Sequence, residues 1–389
     1  MITFSNVTVV PFDGLLQSLH GGHDHKGGPI WPDWDNQIEA RFNRNGTPSD
    51  TRPDDVEPAV RISGGDWFWG GPVHSHFGHG IVDYSTRIAE SLRQNENAKL
   101  VFSSEKRQLV AGLDDAPKWF EQMLLEWFQV PPERIHFVAE PTLFETLHVV
   151  PQAEQNSTVG PTEDYLDILD EVTARHFSTE GKQDTVYVSR AGIAGKFAGE
   201  VAFEAAMKAA GVSIFRPETS PLAEQLRVFA SAERLIVAEG SALHGMQLLG
   251  RSLGDITIIN RRRGGRLAKV FLKPRAKSLE YLNMVGGMVY GLTEAGNQAQ
   301  AVGISFMQME RVLSALESRG IPIKDHWDQQ AYDAEIVNDL MVWLRRTSHD
   351  PSSKLPDSRD LIYSTLEKSG FASWVPRAKE MLKEDRMAV

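Results

Sequence analysis

The stretch RLIVAEGSALHG, residues 234–245, decides the fold. Leu235, Ile236 and Val237 form a short apolar run that stops at Glu239-Gly240-Ser241, and Ser241 to Leu249 continues at helical spacing. An apolar strand that ends at glycine and opens straight into a helix is the joint of a parallel sheet covered on both faces. That joint suits two chemistries. Free N–H groups at a helix start hold an anion, and glycine lets it approach the backbone. A serine placed there can instead act as a nucleophile.

The neighbouring sequence repeats the pattern. DTVYVS (184–189), VSIF (212–215) and DITIIN (255–260) are further apolar runs, with helical spacing over 197–210 and 221–232 between them. TEDYLDILDEVTARHF (162–177) is amphipathic and predicts a helix. Residues 163–278 therefore read as a doubly wound, Rossmann-like α/β domain. Its rim would carry Ser189-Arg190, Pro217-Glu218 and Glu239-Gly240-Ser241, because ligands sit at the carboxyl ends of such strands. Residues 1–155 read as a less regular α/β domain of the same architecture, with strands near 2–10, 99–103 and 134–140, a helix at 116–128, and long loops over 12–65. The stretch 151–162 reads as a linker or hinge. Residues 279–389 read as a helical extension, with helices near 301–318, 333–347, 357–368 and 374–384 and no chemical motif.

Composition sets bounds. The chain has 389 residues, 41% hydrophobic and 24% charged, as in an ordinary soluble protein. No run approaches the ~18 apolar residues of a membrane span. MITFSNVTVVPFDG at the start has neither a basic leader nor an apolar core of signal-peptide type, so a cytoplasmic protein is expected. The absence of cysteine removes disulfides, thiolate catalysis and Cys-zinc sites. A net charge of −11 argues against nucleic-acid binding. NRRRGGRLAKVFLKPRAK (260–277) nevertheless has eight Lys or Arg and no acid. It reads either as a solvated loop and strand edge or as a contact for an anionic partner: a nucleotide phosphate, a lipid phosphate or the inner membrane face.

Ser241 has glycine directly before it and none at the second position after it, so it does not fit a G-x-S-x-G elbow, which favours an anion cradle or a helix cap over a nucleophile. Arg190 and Lys196 in YVSRAGIAGKFAGE (187–200) would supply cations for a diphosphate, the alternative being pairing with Glu200 or Glu204. The loop is neither a Walker A sequence nor G-x-G-x-x-G. In PVHSHFGHGIVDYSTR (72–87), His74, His76 and His79 give an H-x-H-x-x-H spacing that suggests a zinc hydrolase, although Gly78 stands where that class carries an aspartate. His23 and His25 add histidines in a Gly-rich loop expected to be exposed. A second reading of the segment places His79, Asp83 and Arg87 at i, i+4 and i+8 on one helix face. There a carboxylate orients an imidazole and either removes a proton, or the three form a salt-bridged surface.

Taken together these segments resemble glycosyltransferase family 61. A histidine followed by an acid four residues on and an arginine eight on is matched by His79, Asp83 and Arg87. A strand ending in Ser-Arg, a basic residue and an acid opening a helix are matched by Ser189-Arg190, Lys196 and Glu200, with Lys196 where arginine is usual and Gly199 where asparagine is usual. Gln225 in Glu224-Gln225, Ala232, and the turn Gly240-Ser241-Ala242-Leu243 complete the series. Glu239 stands where many members have histidine, and His244 follows instead. The resemblance covers roughly 65–260. It implies a GT-B architecture of two facing Rossmann-like domains, with acceptor on the first and nucleotide-sugar donor on the second, and inverting transfer without metal or other cofactor. The implied partners are a nucleotide-sugar and a glycan, lipid-linked or protein acceptor, as in surface polysaccharide synthesis. His79 or Asp83, failing them Glu239, would be the base. Arg190, Lys196, Glu200, Gly240, Ser241 and His244 would serve the donor, Glu200 either directly or only by orienting Lys196, and Arg87 the acceptor or the structure. A non-catalytic binding protein on the same fold is the remaining alternative.

Overall fold

Five short strands form one all-parallel sheet in the computed structural model, which describes residues 1–16, 24–106, 110–156, 158–177, 183–193 and 195–383. Their spatial order is Ser213–Phe215, Gln183–Val188, Ala232–Ala238, Leu253–Ile259 and Ala276–Leu282. In chain order this is 2-1-3-4-5. The winding reverses between Gln183–Val188 and Ala232–Ala238, and the crevice at such a reversal is where these sheets bind ligands. Val186, Val188, Leu235 and Val237 pack on one face with Leu226 and Phe229 of helix Leu222–Ser231. Tyr187, Ile236 and Ala238 pack on the other with Phe203 and Met207 of helix Glu200–Ala209. Burial on both faces is why these strands read as apolar runs. Helix Glu163–His176 is where the periodicity put it, and the Thr162 hydroxyl accepts the N–H of Tyr165 at its start.

The first half departs from the expected architecture. Its eight-stranded sheet is mixed: Trp67–Pro72, Lys99–Ser103 and Ile135–Val138 are parallel, but Thr142–Val149 pairs antiparallel with the long strand Ile2–Leu16. Only the three strands at one end of the sheet are all parallel in the expected way. Thr142–Val149 alternates buried with less buried residues, so it has no apolar run to betray it. The stretch expected as loops is partly built into this sheet. Ile2–Leu16 runs into it, Asp24–Pro29 pairs alongside, and Trp31, Trp34 and Phe42 are buried.

One hydrophobic core crosses from one sheet to the other, joining Leu100, Phe102 and Trp127 to Leu169, Leu226, Leu235 and Phe271. The connecting stretch is anchored rather than free. Glu154 is buried and accepts hydrogen bonds from both terminal nitrogens of the fully buried Arg275. The C-terminal part has helices Met309–Glu317, Gln329–Ser348, Pro356–Lys368 and Val375–Met381, and also an antiparallel pair, Val285–Val289 with Ile304–Met307, that a purely helical extension does not include. Among the described residues no helix is long and apolar enough to cross a membrane.

Candidate functional site

At the reversal point, the strand ends bring together Arg190, Gly240 and Arg261. Arg190 follows Gln183–Val188 and its guanidinium lies directly against the Cα of Gly240, so closely that a Cβ there would overlap it. Burial lowers the pKa of Arg190. Glu200, fully buried, fixes the backbone behind it: the carboxylate accepts the Tyr187 hydroxyl at 2.7 Å, the Arg190 N–H at 2.7 Å and the Ser189 hydroxyl at 3.2 Å. Burial pushes the Glu200 carboxyl up. Glu200 thus orients Arg190 rather than Lys196.

Arg261, at the end of the next strand, carries no motif that marks it in the sequence. It is buried, and its Nη1 has no hydrogen-bond partner among the described residues. Burial, and then the charge of Arg190, press its pKa down to about 9. A buried cation so destabilised is relieved by an anion. The basic run 260–277 contained the signal, but only the strand order places Arg261 beside Arg190. The rest of the run is not one basic face. Arg262 pairs with Glu239, Arg263 donates to the Gly286 carbonyl, and Arg275 is buried with Glu154.

Glu239 is fully buried, and its carboxylate accepts the backbone N–H groups of Arg261 and Arg262 at 2.8 and 3.1 Å together with the Arg262 side chain. It anchors the arginine loop. Lys196 is paired with Asp339 at 2.7 Å. The helix expected from Ser241 to Leu249 is one α-helical turn, Ala242–Gly245, followed by a tighter turn at Met246–Leu248, and the Ser241 side chain makes no cap. The cations at this rim are therefore arginine side chains, and no long helix follows Ser241 to point its dipole at it.

The first half contributes His79 and Asp83. The expected continuous helix is instead a turn at Phe77–His79, a π-helical turn at Gly80–Tyr84 and helix Ile88–Gln94. Single π turns recur at functional sites. His79 Nδ1 lies 2.8 Å from Asp83 Oδ2, leaving Nε2 as the other ring nitrogen. Asp83 is buried, and Arg44 Nε, a neighbour the sequence did not suggest, stands 3.9 Å from its Oδ1. Arg87 leaves the shared face. It is buried, donates to the carbonyls of Val150 and Arg41 at 2.8 and 2.6 Å, and burial lowers it to about 10.

His74, His76 and His79 cluster, with ring centroids 5.0–6.5 Å apart. However, Nδ1 of His74 accepts the His76 N–H at 3.0 Å and Nδ1 of His76 accepts the His79 N–H at 3.4 Å. Among the described residues no group of three or more His, Asp or Glu is placed to hold a metal ion. Burial, then His79 and His76, lower His74 to about 4. His25 is buried among Phe12, Phe42 and Tyr84, contrary to expectation, and His23 lies outside the described residues.

The two halves meet here. Gly78 is backed by His244 and Ser241, whose atoms lie 3.2 and 3.3 Å from where a side chain would begin. His244 is buried, its Nδ1 is 2.9 Å from Gln247 Nε2, and burial lowers it to about 4. Beside this contact is a cavity of about 570 Å³ lined from one side by Phe77 and Trp119 and from the other by Arg190, Glu218, Gln225 and Ser241. Gln225 donates to the carbonyls of Pro217 and Ser220, both at 3.0 Å, and so shapes that wall.

Residues 77–251, which carry the dyad and most of the cavity wall, match the family model described as Glycosyltransferase 61. No curated protein matches the chain. The match supports a glycosyltransferase function, with a donor and an acceptor substrate.

Proposed function

From the family 61 resemblance of residues 77–251 as premise, we propose that the protein is an inverting, nucleotide-sugar-dependent glycosyltransferase working in a GT-B-like cleft. The observation that carries this reading is the contact of the segment bearing the His79–Asp83 dyad, at Gly78, with Ser241 and His244 of the other half, beside a cavity that Arg190 lines. His79, oriented by Asp83 at Nδ1, takes the acceptor hydroxyl proton on Nε2. The acceptor oxygen attacks the anomeric carbon from the face opposite the diphosphate. The bond from that carbon to the diphosphate oxygen breaks, and the nucleoside diphosphate leaves with the electron pair. Arg190 and Arg261 receive the developing charge, and one such preorganised donor contributes ~3–4 kcal/mol to lowering the barrier. These cations do the work that a divalent metal does elsewhere. The aromatic wall of Phe77 and Trp119 suits the nucleoside. The acceptor is a hydroxyl of a glycan, a lipid-linked sugar or a protein, and surface polysaccharide synthesis in the cytoplasm is the setting.

The test is a thermal-shift panel of nucleoside diphosphates and nucleotide-sugars with EDTA present. A ligand at 100 times its Kd that binds only the folded state adds about 2.7 kcal/mol. A shift with one nucleotide that disappears in Arg190→Ala is the expected result. Silence across the panel, with a shift on adding zinc, would transfer the activity to the histidine cluster.

A further inference from the structure

The C-terminal helices lie outside the family match, yet they grip the loop that carries the donor-side cations. Asp339, on helix Gln329–Ser348, is buried and uses both carboxylate oxygens: Oδ1 is 2.7 Å from Lys196 Nζ, and Oδ2 accepts the Gly199 N–H at 2.9 Å. Next to it the Ala198 N–H donates to the Ser305 carbonyl at 2.8 Å. At the other end of the same turn, the Gly195 carbonyl accepts Arg190 Nε at 3.4 Å, and Arg261 Nη1 lies against Gly195. The arginine loop is tied to the same module. Arg263 donates to the Gly286 carbonyl at 2.5 Å, and the Gly264 N–H donates to Asn283 Oδ1 at 3.2 Å.

We propose that Asp339 is a positioning residue for the donor cradle: through Lys196 and Gly199 it fixes the turn 195–199 so that Arg190 and Arg261 converge on one anion. The inference rests on the donor-site reading above. Lys196 then has its charge balanced within the protein and acts as a strut, not as a ligand of the diphosphate. The C-terminal module thereby completes a site whose charged groups all lie outside it. Buried pairs of this kind respond strongly to loss of one partner, because the other is left uncompensated.

The experiment compares UDP and GDP affinity by calorimetry for the native chain, Arg190→Ala, Asp339→Ala and Asp339→Asn, with melting curves and amide exchange over 195–206 recorded on each. Asp339→Ala is expected to weaken the nucleotide that binds by tenfold or more and to speed exchange at Gly199. Asp339→Asn, which keeps an acceptor for the Gly199 N–H but removes the charge facing Lys196, should weaken it less than Asp339→Ala. Native-like affinity in a folded Asp339→Ala overturns the inference alone, since Arg190→Ala still loses binding. Tighter binding in Asp339→Ala, from a lysine released onto the phosphates, overturns it as well. A native chain that binds neither nucleotide defeats the donor-site reading itself.

Discussion

The mixed sheet and the parallel sheet each bury an arginine, and they treat it differently. Arg87, in the first half, has its guanidinium bonded to backbone carbonyls of two distant segments. Arg261, in the second, is just as buried but keeps Nη1 without a hydrogen-bond partner among the described residues, next to another arginine. Burial alone does not mark a functional cation. A buried donor without a partner costs about 1–3 kcal/mol, and at Arg261 the neighbouring charge of Arg190 makes an anion the fitting partner. Under the proposed function, the first half uses its arginine to join segments and gives its chemistry to a histidine, while the second half keeps Arg261 for an anion.

That division of labour can be broken by experiment. His79→Ala should lower turnover by about 10³-fold while leaving nucleotide affinity intact, as expected for loss of a general base. Loss of nucleotide affinity instead would mean that the dyad belongs to the donor side. Glu154→Ala leaves the buried Arg275 unpaired and should cost about 3–5 kcal/mol in urea unfolding, still as a single transition. Two transitions would show that the halves are separately stable despite their common core. Acid sharpens the contrast further. His244 titrates near 4 in the folded chain, below its ordinary 6.5, because it is buried. The unfolded chain therefore takes up the proton first as pH falls, so the stability present above pH 6.5 declines as pH falls toward 4. At 1.36 kcal/mol per unit this is about 3 kcal/mol. His74 acts in the same direction. His244→Gln should flatten the decline between pH 7 and 4.5, and an unchanged slope would assign it to other groups.

How much of this is legible in the sequence follows the same boundary. The strands at 184–189, 234–238 and 255–260 are legible because burial on two faces makes a strand continuously apolar. Their neighbour Ala276–Leu282, an edge strand with Lys277, Ser278 and Glu280 exposed, is not. In the first half Thr142–Val149 is hidden by alternation. The pairing of His79 with Asp83 is visible from spacing, but the π turn is not, since a widened turn leaves no periodic mark over five residues. Arg261 lies in plain sight within a basic run. What the spacing withholds is which strand ends become neighbours, and so which of eight cations turn inward.

The core that runs unbroken between the sheets has a kinetic consequence. A cleft whose two walls grow from one core widens only by exposing apolar surface, at roughly 25 cal/mol for each Å². Under the proposed function the nucleotide would enter a preformed opening rather than one made by halves that swing apart. Stopped-flow binding should give a single phase whose rate rises linearly with concentration, and a rate that levels off would reveal a hinge that Glu154 and Arg275 fail to lock.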